Sequence, residues 1–146
     1  INEVCKKFQL KVNSLSGELT INIIEQEYNC SCDKLHLTNA ISNLIDNAIK
    51  YSLEKPIINI SFLVEKNELK LSIKDQGIGI KKEHLPRIFD KLYRVPTGNL
   101  HDVKGFGLGL NYAKGIITHY GWELNVDSEY KKGTVFTIIF KNIYNV

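Results

Sequence analysis

The chain has 146 residues, 43% hydrophobic and 24% charged, the balance of one ordinary globular domain with room for a core. Its net charge is +3 and its basic residues are spread out, which argues against nucleic acid as the main partner. No apolar run reaches the length of a membrane span, and no secretory signal opens the chain.

The first residue is Ile1, inside a helical pattern and without a methionine, as expected of a fragment of a longer protein. A membrane anchor upstream therefore stays open. Cys5, Cys30 and Cys32 lack zinc spacing. They read as buried free thiols in a reducing cytoplasm rather than as redox or metal groups, with Cys30 and Cys32 on one face of a strand.

Ile1, Val4, Cys5, Phe8, Val12 and Leu15 recur at helical spacing and predict a first helix that stops near Gly17. Leu19, Ile21 and Ile23 alternate, as does the stretch to Cys32, which predicts one or two strands. Asp33 stands at an N-cap position for a long helix to about Ser52. Its apolar stripe is Leu37, Ile41, Leu44, Ile45, Ala48 and Ile49. Ile58 to Val64 and Leu69 to Ile73 alternate around Lys66-Asn67, a hairpin. A short helical piece is expected from Glu83 to Leu92, then an aperiodic polar loop from Arg94 to Lys104. Ala113, Ile116, Ile117 and Tyr120 mark another helix, capped by Gly121. Trp122 to Val126 and Thr134 to Phe140 form a last hairpin. The expected fold class is a two-layer α/β sandwich: three helices on one face of a mostly antiparallel mixed sheet, one domain over residues 1–146.

Asn43, Asn47 and Lys50 share a polar stripe of the long helix, where two amides and an ammonium could face a metal-bound polyphosphate. Taken alone, the stripe also describes an ordinary solvated face. Asp75 ends a strand ahead of Gly77 and Gly79. A carboxylate there can accept from an exocyclic amine, and the glycines admit a flat ring, although Asp-x-Gly also marks ordinary turns. Gly105, Gly107 and Gly109 stand at a helix mouth whose free N–H groups suit phosphate; a flexible hinge is the other reading. The spacing fits neither a Rossmann fingerprint nor a P-loop.

In order, these pieces resemble the nucleotide-binding domain of sensor histidine kinases. Asn43 to Tyr51 looks like the family's N box, and Asp75 to Gly79 like its first glycine box. Arg87 to Arg94 looks like the F box, and Gly105 to Leu110, with Leu108 inside it, like the second glycine box. The resemblance covers nearly the whole chain and implies a Bergerat-type fold with ATP and Mg²⁺ as cofactors. By similarity, Asn47 would hold Mg²⁺ through its amide oxygen, with Asn43 assisting. Lys50 would approach the phosphates and Tyr51 the adenine or ribose. Asp75 would accept from the adenine amine in a pocket shaped by Gly77 and Gly79. Residues 94–104 would be the ATP lid, with Arg94 and Lys104 as candidate phosphate partners. Gly105, Gly107, Leu108 and Gly109 would line the phosphates, and Phe89 would be a packing residue. Lys91-Leu92 departs from the arginine and aromatic frequent in the F box, and a lysine cannot clamp phosphate bidentately.

Related ATP hydrolases, and anti-sigma-factor kinases, tend to carry glutamate where this chain has Asn43. An amide cannot take a proton from attacking water, so transfer to an external nucleophile is favoured over hydrolysis. None of His36, His84, His101 and His119 has the context of a phosphoacceptor, so no catalytic nucleophile is expected in the chain. The resemblance implies a fragment that binds ATP without autophosphorylating. It is expected to be monomeric and to lie in the cytoplasmic part of a membrane-anchored sensor. Its implied partners are its own dimerisation and phosphoacceptor domain and a response-regulator receiver domain. A nucleotide-binding module that regulates a partner without catalysis, or an anti-sigma-factor-type kinase, is the alternative.

Overall fold

A computed structural model describes residues 2–22, 28–65, 68–96 and 105–145. Ile23, the Lys66-Asn67 turn, His101 and residues 97–104 of the expected lid, Lys104 included, lie outside the described residues. The elements run α1 (Asn2–Ser14), β1 (Glu18–Asn22), β2 (Tyr28–Asn29), α2 (Lys34–Lys50), β3 (Ile57–Glu65) and β4 (Glu68–Asp75). After a 3₁₀ turn (Leu85–Arg87) come α3 (Gly109–His119), β5 (Glu123–Glu129), β6 (Gly133–Phe140) and β7 (Tyr144–Asn145).

Five strands form one sheet in the order β1-β3-β4-β6-β5. The β3–β4 and β5–β6 pairs are antiparallel, as hairpin alternation predicts, and the non-consecutive β4–β6 pair that joins the two hairpins is antiparallel as well. The β1–β3 pair is parallel, because the chain crosses between them through α2 rather than through a turn. The sheet is therefore mixed, with the three helices packed against it. Leu71, Ile73, Leu124, Ile138 and Phe140 from the strands meet Val12, Ile41, Leu44, Ile45 and Ile117 from the helices, all buried. Burying one such side chain contributes about 1.5–3 kcal/mol.

Helix α2 begins where Asp33 predicts. The carboxylate oxygen Oδ1 accepts from the His36 backbone N–H at 3.0 Å, meeting one of the donors that a helix start leaves unpaired. Asp33→Ala should lower stability by about 1 kcal/mol in denaturant unfolding, with Trp122, the one tryptophan, as the fluorescent probe. No change in the midpoint would remove the cap from the account. At the end of α1 the left-handed residue is Ser16, at φ 55°, rather than Gly17. Gly17 instead passes tightly over the Pro56 carbonyl, where a side chain would collide.

Three local expectations change. The Glu83–Leu92 helix is only the Leu85–Arg87 turn, flanked by i→i−3 bonds from His84 to Lys81 and from Asp90 to Arg87. Pro86 at the first positions of the turn is compatible with a helix start, but Leu92 at φ 65° cannot belong to a right-handed helix. The strand expected to reach Cys32 stops at Asn29 and pairs with β7, an edge contact invisible in local alternation. Cys30 and Cys32 consequently lie in an irregular connection and are half-buried, whereas Cys5 is buried. Among the described residues, no helix is long and apolar enough to cross a membrane.

Candidate functional site

The alternation that buries Leu69, Leu71 and Ile73 carries one step further, two residues on, to Asp75. A carboxylate therefore enters the apolar side of the sheet, only 6% exposed. Its Oδ1 accepts from the Gly77 N–H at 2.8 Å and from the Thr134 N–H at 3.2 Å. Burial raises the Asp75 pKa above its ordinary value, against the opposing pull of those two N–H bonds.

The segment after Asp75 is strapped from both sides. The Ile78 N–H donates to the Tyr51 carbonyl at the end of α2 at 3.0 Å, and the Lys131 N–H in the β5–β6 turn donates to the Ile78 carbonyl at 2.6 Å. The Ile80 N–H donates to Ser128 Oγ at 2.8 Å, and Ser128 Oγ in turn donates to the Gly133 carbonyl at 3.0 Å. Gly79 has φ +65°, and a Cβ there would run into the Glu129 carbonyl. Its lack of a side chain thus serves the hairpin behind it as well as the cavity in front.

Across the cavity, α2 presents Asn43, Asn47 and Lys50 at i, i+4 and i+7, the row opposite its buried Ile41, Leu44, Ile45 and Ala48. Helix α3 starts at Gly109, where a Cβ would lie 3.1 Å from Asn43 Oδ1, so glycine lets the two helices approach. Leu108, its N-cap, gives no side-chain hydrogen bond, which leaves first-turn N–H groups open to an anion. The Leu92 N–H donates to the Gly107 carbonyl at 3.0 Å, and Asn111 Nδ2 donates to the Phe89 carbonyl at 2.9 Å. These bonds tie the F-box stretch to the start of α3.

Together the elements enclose a cavity of about 310 Å³, in the range of small-molecule sites. Asn43, Asn47, Lys50, Tyr51, Asp75, Gly79, Arg94, Gly105, Gly107, Leu108 and Gly109 all line it. Gly77 does not, and acts instead through its N–H on Asp75. Lys104 lies outside the described residues. Phe89 packs edge-on against Phe136 with ring centroids 6.4 Å apart, in keeping with a packing role. Lys91 is exposed and absent from the lining.

Sequence reasoning missed the apolar wall, formed by Ile78, Ile80, Ile88, Val95, Phe106, Leu110 and Phe136, and two polar members, Tyr93 and Thr134. The Tyr93 hydroxyl is 2.7 Å from His84 Nδ1, and the Arg87 guanidinium lies 4.3 Å from the Tyr93 ring centroid. Tyr93 stands within the F-box stretch and could have been found there. Thr134 could not, since 59 residues separate it from Asp75.

A carboxylate in an apolar cleft, an amide row and an open helix N-terminus are the parts the four boxes promised. The sequence profile of the histidine kinase-, DNA gyrase B- and HSP90-like ATPases matches residues 32–143. The chain belongs to that family. This family member is 46% identical over 147 residues to the sensor protein RprX of Bacteroides fragilis, covering 99% of the chain and 28% of that protein. It is 37% identical over 134 residues to the sensor protein SrrB of Staphylococcus aureus, covering 90% of the chain and 22% of that protein. The chain thus spans less than a third of the length of these relatives. The fold matches the mycobacterial sensor histidine kinase MprB at TM-score 0.78 and 24% identity, covering 95% and 92% of the two chains. It also matches full-length ShkA, solved in complex with AMPPNP, at TM-score 0.81 and 18% identity, covering 99% of this chain and 29% of that one. The ATPase is of the histidine kinase type found in sensor proteins, and the resemblance read from its boxes is borne out.

Proposed function

We propose that the chain is the ATP-binding domain of a two-component sensor histidine kinase, positioning Mg-ATP for γ-phosphoryl transfer to a histidine on a separate dimerisation domain. The observation that carries this reading is the pairing of buried Asp75 with the Asn43–Asn47 row across one cavity. Both protein bonds to Asp75 go to Oδ1, which leaves Oδ2 to accept from the adenine amine. Tyr51 and the apolar wall of Ile78, Ile80 and Phe136 would hold the ring. Lys50, Arg94 and the N–H groups from Gly105 to Gly109 would face the phosphates. Lys104 is proposed as a further phosphate partner from the sequence alone.

Among the described residues, no three His, Cys, Asp or Glu side chains cluster as metal ligands. The amide oxygens of Asn47 and Asn43 fit Mg²⁺, an oxygen-seeking ion held by a few protein ligands together with phosphates. Bound there, Mg²⁺ would neutralise charge on the phosphates. Asn43 cannot serve as a general base toward water, which favours transfer over hydrolysis. The nucleophile and the rest of the relay are proposed to come from the dimerisation and phosphoacceptor domain and a response-regulator receiver domain, on the cytoplasmic side of a membrane-anchored sensor. The 146-residue unit is proposed to act as a single monomeric domain without affinity for nucleic acid.

Calorimetric titration with ATP and Mg²⁺ tests binding, and labelled ATP with the helical phosphoacceptor domain added in trans tests transfer. Acid-labile phosphate on the added domain, with none on the chain alone, is expected. Binding without transfer would favour the regulatory module. Asn47→Ala should weaken ATP binding at saturating Mg²⁺ by about tenfold, the scale of one lost charge-assisted contact, and leave metal-free binding unchanged. Equal losses with and without Mg²⁺ would refute the metal role.

A further inference from the structure

Cys30 and Cys32 flank a single residue in the irregular connection between β2 and α2, and their Sγ atoms are 3.6 Å apart. Both are half-buried free thiols, packed at the edge of the core and within reach of small solutes. No strand ladder or helix locks residues 30–32, so the backbone can yield as the sulfurs close to the disulfide length of about 2 Å. The third thiol, Cys5, is buried inside α1 at 3% exposure. The sequence alone made all three inert; the geometry separates one pair from the third.

We propose that Cys30 and Cys32 form a redox modification site that closes to an intramolecular disulfide on reaction with hydrogen peroxide. The chemistry balances within the pair. The Cys32 thiolate attacks one peroxide oxygen and the O–O bond breaks. A sulfenic acid forms on Cys32, and hydroxide leaves to take up the proton that Cys32 has lost. The Cys30 sulfur then attacks the sulfenic sulfur; the S–S bond forms, the S–O bond breaks, and the Cys30 proton leaves with the hydroxyl as a second water. The two sulfurs are oxidised by two electrons in total, and one peroxide is reduced to two waters. Burial and the neighbouring sulfur push the Cys30 thiol up to about 11, which slows its attack; the 3.6 Å approach of the two sulfurs is what favours closure. A ring closed over one intervening residue is strained, which makes the bond easy to reduce and the site reversible.

The location gives closure a route to the rest of the domain. Asp33, next to Cys32, caps α2, and its backbone N–H donates to the Tyr120 hydroxyl at 2.8 Å. Ordering of this connection is therefore coupled to the start of the helix that carries Asn43 and Asn47.

The test treats the 146-residue chain with hydrogen peroxide, blocks remaining thiols under denaturing conditions and measures intact mass. Two of the three thiols should be lost, with a mass about 2 Da lower before blocking, restored by dithiothreitol. Cys5→Ser should leave the loss intact. Cys32→Ser should abolish it. The proteolytic peptide that holds both residues should carry the mass change, a readout that needs no variant. Three blockable thiols after treatment, oxygen additions without closure, or a disulfide-linked dimer would each overturn the proposal.

Discussion

Asp75→Asn is expected to weaken ATP binding by about 1–3 kcal/mol, roughly five- to 150-fold in affinity, while the nucleotide-free fold holds or gains stability at neutral pH. The reason lies in how the carboxylate is held. Its Oδ1 is committed to the Gly77 and Thr134 N–H groups, and an amide oxygen can keep both bonds. The amide nitrogen must then stand where Oδ2 stood, so a donor faces the donor on adenine. The fold, in turn, no longer bears the cost of an ionised group away from water.

The pH dependence has a definite sign. Burial raises the Asp75 pKa in the folded chain above the ordinary value of 3.8, so the native state holds this proton more tightly than the unfolded one. The stability linked to Asp75 is fully present below 3.8 and is lost as pH rises through the raised folded value. Unfolding of the nucleotide-free chain, compared with Asp75→Asn across that window, should show the variant gaining on the parent and then levelling. A difference that stays flat would mean that the carboxylate is solvated. Unchanged ATP affinity in the variant would take Asp75 out of the site.

Gly79→Ala carries the second large effect, and it falls on stability first. The residue adopts φ +65°, costly for alanine, and the new methyl would overlap the carbonyl of Glu129, the last residue of β5. Strain and overpacking together should cost about 3 kcal/mol, because neither backbone segment is a flexible side chain that can swing away. For a chain of this size that is roughly 6–12 °C in melting temperature, readable by calorimetry or by Trp122 fluorescence. Losses in nucleotide affinity should follow, since the same shift drags Ile78 and Ile80 from the cavity wall. A Gly79→Ala chain that melts like the parent would show that the hairpin does not press on the loop.

Much of this domain was legible because its signals are local. Helical spacing from Leu37 to Ile49, with Asp33 ahead of it, defines α2 and its polar row, because period and cap are properties of neighbouring residues. Strict alternation into Asp75 was enough to send that carboxylate to the apolar side of the sheet. The ordered boxes supplied the candidate site, and all its members among the described residues line the cavity except Gly77, whose N–H acts one step behind it.

What the tertiary structure alone decided involves partners distant in the chain. Sequence could not say that β1 pairs parallel with β3, that Thr134 shares Asp75 Oδ1, or that Ser128 and Lys131 hold the glycine loop from behind. Nor could it say that β2 stops at Asn29 against β7, leaving two sulfurs 3.6 Å apart. Period and capping act over a few residues, whereas these contacts exist only once separate strands and loops have packed into one core.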